Sequence, residues 1–452
     1  MKKKVVSALL CATMVATMFA GCGSKESSDN ATTPDTSKAD TSSEVTAPAE
    51  DTGKVLNIYC WNEEFKSRIT AHYPDYQEVD ATHGKIGDVD VVWNITPNDD
   101  NAYQNNLDAT LLNQADAPAD DKIDLFLVEA DYALKYVDTD YTMPIKDLGI
   151  TDDDLSKQYQ YTKDIVTDSN GVLKGLSWQG CPGVLFYNRD AAKEVLGTDD
   201  PDKVQESVKD WDTYNDTAKK MKDAGYKMTA SANDTYRVYS NNVTSKWVDG
   251  NKISIDDNIM KWVDDSKAQV DAGETGTCDL WSDDWSKGFY PQGKVFCYFG
   301  PAWLVNFSMA ADTEGSIGYN GGWGAAQGPQ GFFWGGTWIC AAQGTDNANL
   351  VKDIMLKMTT DDDIMKDIVV DDDDFVNNST VMNGMADGSI KVKDNKEYSS
   401  KILGGQNPLP MYCAGVETLD LSNLSSYDQG CNEEFQNAMK NYFEGKATKD
   451  EA

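Results

Sequence analysis

The sequence predicts an α/β protein built as two lobes with a cleft between them. Three observations carry this reading. A strand, helix, strand series opens the folded chain, a second series begins near Gly175, and Gly-rich stretches join the two more than once. Strand, helix, strand order implies right-handed α/β winding. A chain that passes repeatedly between two lobes leaves a cleft between them, with the crossovers as its hinge.

The elements follow in order. Val55–Cys60 alternates as a strand, and Asp88–Val92 is a second. Tyr103, Leu107 and Leu111 give residues 102–113 helical spacing, and Ile123–Val128 is the continuous apolar run of a central parallel strand. After Gly175 a new strand covers Val184–Tyr187. A helix follows over Asp212–Ala224, with Asp212 as N-cap and Gly225 at C′. Gly293–Phe299 is another strand. Gly315–Gly336 is Gly- and aromatic-rich with little periodicity. A helix starts near Ala348, and the last one ends at Gly445.

The N-terminus reads as an address. Lys2–Lys4 precede a short apolar run, Val5–Phe19, which ends in Phe19-Ala20-Gly21-Cys22. That is the layout of a signal peptide, too short to span a bilayer, and its end resembles a bacterial lipobox with Cys22 as the lipidated residue. An ordinary signal with an incidental Cys is the alternative. Residues 22–53, rich in Ser, Thr and Asp, form a tether that cannot bury a core.

Composition excludes several functions. The formal net charge is -35, from 40 basic against 75 acidic residues. Loss of the three signal lysines makes it -38, with 37 against 75. Such a surface repels nucleic acid and anionic lipid. Two His leave little room for His-based metal or triad chemistry, and no cofactor motif occurs. Seven Cys remain beyond Cys11 and Cys22, an odd number with no CxxC, so neither a zinc site nor a full disulfide framework is indicated. Twelve Trp and 21 Tyr make a stacking site worth seeking.

A set of segments, in order, resembles the extracellular solute-binding proteins of ABC sugar importers, the maltose-binding-like group. They are Leu56–Asn62, Asp124–Leu127 with Glu129–Tyr132, Gly175–Leu176 through Leu185–Asp190, Asp210–Asp212, Gly293–Val295 with Gly300–Trp303, Gly335–Gly336, Asp374–Asn378 and Gly404–Pro408. The resemblance implies a type II periplasmic-binding-protein-like fold without enzymatic activity or cofactor. It implies a first lobe from 54–178 and 325–372, and a second from 184–324 and 377–452. Crossovers are expected at 179–183, 320–331 and 371–378. It further implies a carbohydrate ligand, an ABC permease as partner, a lipid anchor outside the membrane, and a monomer.

A sugar offers apolar C–H faces to aromatic rings and a rim of hydroxyls to Asp, Glu, Asn and Gln. Trp61, Asn62 and Glu63 follow the first strand's carboxyl end, where open α/β sheets bind ligands. Glu129 and Asp131 follow the IDLFLV strand; Asp131 matches a hydroxyl acceptor of the family, or it caps a helix. Trp178 and Gln179 lie in the first crossover. Trp303, and Trp334 with Gly335 and Gly336, match loops that carry stacking rings. Trp323 either stacks or packs the hinge. Gln406 and Asn407 match a late loop facing the cleft. Trp211, Trp262, and the i,i+4 pair Trp281 and Trp285 read as core. Two other functions remain in play: a binding protein for a polyamine, peptide or metal, and an exported glycoside hydrolase.

Overall fold

The computed structural model describes residues 50–452. The signal peptide, Cys22 and most of the tether lie outside the described residues. In chain order the strands are β1 (Val55–Cys60), β2 (Tyr76–Glu78), β3 (His83–Ile86), β4 (Val89–Ile95), β5 (Leu125–Glu129), β6 (Leu176–Ser177), β7 (Pro182–Asn188), β8 (Val248–Asp249), β9 (Lys252–Ile253), β10 (Cys297–Gly300), β11 (Trp323–Ala326), β12 (Phe332–Phe333) and β13 (Thr337–Ala341).

The first lobe is a seven-stranded sheet in the order β2-β3-β4-β1-β5-β13-β6. β1 runs parallel to β4 and β5, while β13 pairs antiparallel with β5. The apolar run of β5 is explained by this place. Leu125, Phe126, Leu127 and Val128 are buried on both faces of a sheet covered by helices. β2 and β3, absent from the sequence reading, are short strands of mixed polarity; β3 is ordered by pairing with β4, and β2, at the sheet's edge, by pairing with β3.

The second lobe centres on β7, every residue of which is buried. β10, β11 and β12 all pair with it antiparallel. Two strands therefore arise inside the stretch that showed no periodicity. At four and two residues they are too short to display any. The helix expected at Asp212–Ala224 is Trp211–Asp223, which follows two shorter helices, Arg189–Leu196 and Pro201–Glu206, after β7. Its N-cap is Asp210, which shares a capping box with Thr213, in place of the expected Asp212. Gly225, at φ +85°, ends it as anticipated.

The chain passes between the sheets at 178–181 and again at 334–336. The second passage lies later than the expected 320–331, and the first lobe does not resume at 325, because β11 and β12 belong to the β7 sheet. A third passage follows the helix Asp362–Asp372, which packs on Glu64–His72; the next helix, Ser379–Ala386, packs on Leu409–Val416 beside β7. The three passages bond to one another. Gly180 N–H donates to Phe375 O, Asn377 N–H to Trp178 O and Trp334 N–H to Cys181 O. A hinge stitched this way bends as a unit.

All seven cysteines of the described residues are free thiols. Burial pushes the Cys60 thiol up to about 12, so it behaves as a small apolar group. No helix among the described residues is long and apolar enough to cross a membrane.

Candidate ligand-binding cleft

A cleft of about 420 Å³ lies between the two sheets. Strand ends supply its first-lobe side. Trp61 and Asn62 follow β1, Glu129 ends β5 and Asp131 follows it. Trp61 is held from below by Tyr103 and Tyr132, at ring separations of 5.7 and 6.2 Å. Asn62 Oδ1 accepts from Glu64 N–H, which fixes the start of the helix Glu64–His72.

The opposite side is aromatic. Trp281, Trp303 and Trp334 form one cluster with ring separations of 5.4 to 6.1 Å, and Trp281 lies nearly parallel to Trp303. Trp303 Nε1 donates to Trp334 O. Gly335 and Gly336 both have positive φ, and a Cβ on Gly336 would stand 3.0 Å from Cys181 Sγ. Only glycine lets the second crossover turn there.

Trp281 is 54% exposed and has φ +68°. A bulky residue in the left-handed region costs about 1–2 kcal/mol. Its exposed ring lies on the cleft side.

Charge in the cleft is mixed. Arg237, from the short helix Tyr236–Ser240, makes a bidentate pair with Asp131 and sits over the Trp334 ring at 5.8 Å. Glu129 Oε2 accepts from Asp131 N–H. Burial first, and the Asp131 charge second, hold Glu129 well above the carboxylate range, with Arg237 opposing.

At the cleft floor Gln179 ties the hinge together. Its Nε2 donates to Glu64 Oε1 (2.8 Å) and Asp374 Oδ2 (3.0 Å), and its Oε1 accepts from Thr337 N–H. One amide of the first crossover thus ties together a first-lobe helix, the third crossover and the start of β13, just past the second. Arg68 lies 3.8 Å from Glu64 and 2.7 Å from Asp372.

Residues 75–398 match the profile of a family described as bacterial extracellular solute-binding protein. The chain belongs to this family. Solved structures of similar fold include an extracellular solute-binding protein of family 1, with TM-score 0.67, 17% identity, 87% of this chain and 95% of that one covered. A second is the ABC transporter associated binding protein of B. animalis subsp. lactis Bl-04 with β-1,6-galactobiose, at TM-score 0.62, 19% identity, and 88% and 94% coverage. A third is maltose-bound T. maritima MalE3, at TM-score 0.60, 14% identity, and 87% and 95% coverage. No curated protein matches the sequence. These likenesses establish the two-lobed type II fold. Family membership places the protein outside the cytoplasm and makes it a binder of solutes, not an enzyme.

The solute-binding protein's cleft gathers Trp61, Asn62, Glu129, Asp131, Gln179, Trp303, Trp334, Gly335 and Gly336 from the sequence-derived set. Asp131 does not cap the helix Ala133–Val137, whose N-cap is Tyr132; its carboxylate is spent on Arg237. The other five expected residues lie elsewhere. Glu63 is exposed, and Glu64 faces the cleft in its place, because a helix starts there and turns successive side chains about 100° apart. Trp178 is fully buried and stacks on Phe65 at 5.3 Å. Trp323 is fully buried in β11, edge-on to Tyr298. Gln406 pairs its amide with both backbone groups of Ala325, closing the open edge of β11. Asn407 accepts from Leu409 N–H at the start of the helix Leu409–Val416.

Sequence reasoning missed Asn233, Arg237, Leu280, Trp281, Phe307 and Gln436. The i,i+4 argument placed Trp281 in the core, yet the helix begins only at Asp283, so helical spacing does not apply; Trp285 alone is buried. Arg237 had one usable signal. The chain has three arginines, Arg68, Arg189 and Arg237, among its 40 basic residues. A residue this sparingly used marks sites that need a planar fork of donors.

The buried hinge carboxyls give the protein a pH response. Burial raises Glu64 from an ordinary 4.5 to about 7, with Arg68 opposing, and raises Asp374 as well. For a carboxyl raised in the folded state, its stability contribution is full below about 4.5 and is lost as pH climbs through about 7. The melting temperature is therefore expected to fall between pH 5 and pH 8. Glu64→Gln keeps the bond from Gln179 and removes the buried charge, so the variant is expected to melt a few degrees higher at pH 8 (about 2–4 °C per kcal/mol in mid-sized domains). Thermal unfolding at four or five pH values checks it; parallel curves for the two proteins would refute the assignment.

Proposed function

We propose that this chain is a lipid-anchored receptor, acylated at Cys22 and tethered outside the cytoplasmic membrane. It captures a neutral carbohydrate, in particular an oligosaccharide, and delivers it to an ABC permease as a monomer. The observation that carries this reading is the Trp281–Trp303–Trp334 cluster facing Trp61 across a cleft lined with Asn62, Glu129, Asp131, Asn233 and Gln436. Rings cover the C–H faces of a sugar, and carboxylates and amides take its hydroxyls. A volume of about 420 Å³ falls in the ordinary range of roughly 300–1,000 Å³ for ligand pockets. Contacts from both lobes favour the closed form, which is the form a permease is expected to recognise. The galactobiose and maltose held by similar structures point the same way.

A polyamine or another cation is the second reading, favoured by the Glu64, Glu129 and Asp131 carboxyls. Against it, Arg237 neutralises Asp131, and burial biases Glu64 and Glu129 toward their neutral forms. Calorimetry against a panel of neutral mono- and oligosaccharides, with spermidine and short peptides alongside, decides between them. Micromolar or tighter binding of a sugar is expected. Binding of spermidine without any sugar would overturn the proposal.

A further inference from the structure

Two carboxyls stand side by side in the cleft, and only one is free for a ligand. Asp131 gives both oxygens to the Arg237 fork. Glu129 keeps an oxygen in reserve. Its Oε2 accepts from Asp131 N–H at 2.9 Å, and among the described residues that is the only hydrogen bond its carboxyl makes.

The free oxygen, Oε1, looks onto the Trp wall. A Cβ built on Gly335 would stand 3.5 Å from Glu129 Oε1 and 3.3 Å from the Trp303 ring. The missing side chain at 335 leaves acid and ring open to the same space. A pyranose stacked on Trp303 brings an oxygen of its edge to Oε1.

The surroundings decide which form of the acid waits there. Facing Glu129 are Asp131 and Tyr132 from its own turn, Arg237 from the helix Tyr236–Ser240, Glu433 from the last helix, Asp428–Phe443, and Cys181 from the first crossover. Arg237 and Asp131 cancel as a pair. Burial keeps Tyr132 and Cys181 neutral. Glu433 is another acid. No positive charge is left over for a Glu129 carboxylate, and desolvation disfavours it further. In a neutral acid the carbonyl oxygen is the better acceptor. Oε2 holds the backbone N–H, so the proton sits on Oε1, the oxygen that faces the cleft.

We propose that Glu129 meets the ligand as an uncharged acid whose Oε1–H donates a hydrogen bond, so that the cleft selects a group bearing a free oxygen lone pair at this point. This rests on the carbohydrate reading above. A ring oxygen, a bridging oxygen or a hydroxyl oxygen satisfies the acid. An ammonium offers no lone pair and is refused. Ionised Glu129 has no proton to give, and ligand binding then takes one from solvent.

The test is the pH profile of affinity. Calorimetry on the full chain uses the neutral mono- and oligosaccharides of the panel above, maltose and β-1,6-galactobiose among them. Affinity is expected to hold steady through the ordinary carboxylate range, pH 4 to 6. Above it, once the acid ionises, affinity is expected to fall by about tenfold per pH unit. Two buffers of different ionisation heat count the protons: near zero taken up at pH 6, and about one per ligand at pH 9. In Glu129→Gln the affinity, whatever its level, is expected not to change with pH. If that variant does not fold, Glu64→Gln is used in its place and is expected to keep the wild-type slope. Wild-type affinity that is flat or rising from pH 4 to 10, or that falls fully below pH 6, overturns the proposal alone. So does a slope that survives in Glu129→Gln or vanishes in Glu64→Gln. No binding of any saccharide overturns this proposal and the carbohydrate reading together, as does spermidine binding, without any sugar, that strengthens as pH rises.

Discussion

Alanine at Trp281 is expected to weaken ligand binding by about 30- to 150-fold while leaving the protein as stable as before. The two halves of this result have separate causes. The ring is 54% exposed and presents its free face to the cleft, so truncation removes stacking area rather than core. Roughly 100 Å² of lost apolar contact is worth about 2–3 kcal/mol, which is the stated fold-change. Stability is spared because the residue sits at φ +68° and gains nothing from its backbone conformation. Trp281→Gly removes the left-handed strain as well, and is expected to melt at or above the wild-type temperature with the same loss of affinity. Calorimetry and thermal unfolding on the same preparations check both halves. Unchanged affinity in the alanine variant would show that the ring does not touch ligand.

Trp178→Ala is expected to do the reverse. Trp178 has no exposed surface, stacks on Phe65, and offers its carbonyl to Asn377 N–H at the junction of the first and third crossovers. Deleting a buried indole leaves a cavity and costs about 3–5 kcal/mol. Trp178→Phe is expected to lose much less than half of that. The indole N–H has no hydrogen-bond partner among the described residues, so its removal breaks no bond. Urea unfolding midpoints measure the difference. Full stability of the alanine variant together with lost binding would place this ring in the cleft of the open form. Set beside Trp281, the pair separates two uses of one residue type: a ring held out for a ligand and a ring that fills the hinge.

How much of this was legible in the sequence depends on how local each signal is. β1 was legible from its alternation, and β5 because a strand buried on both faces must be apolar throughout; their ends then place Trp61, Asn62, Glu129 and Asp131 at the sheet's carboxyl edge. β11 and β12 were not, since two to four residues carry no period and are strands only because β7 offers them hydrogen bonds. The crossover residues divided in the same way. Gln179 reached the cleft floor and Trp178, one residue earlier, was driven into the core, because successive residues of an extended segment point to opposite sides. No pattern in a single segment distinguishes those two outcomes.

The sequence by itself determined the fold class, the two strand ends that floor the cleft and the acidic surface, all of which follow from periodicity, local burial and charge. The tertiary structure alone decided which Trp face the cleft, that Arg237 meets Asp131 across it, and that the Gln179 amide joins the first crossover to the third and to the start of β13. The reason is distance along the chain. Asp131 and Arg237 are 106 residues apart, and Gln179 and Asp374 are 195 apart. Contacts of that span leave no mark in local composition, because each partner is chosen by the geometry of the folded whole rather than by its neighbours in sequence.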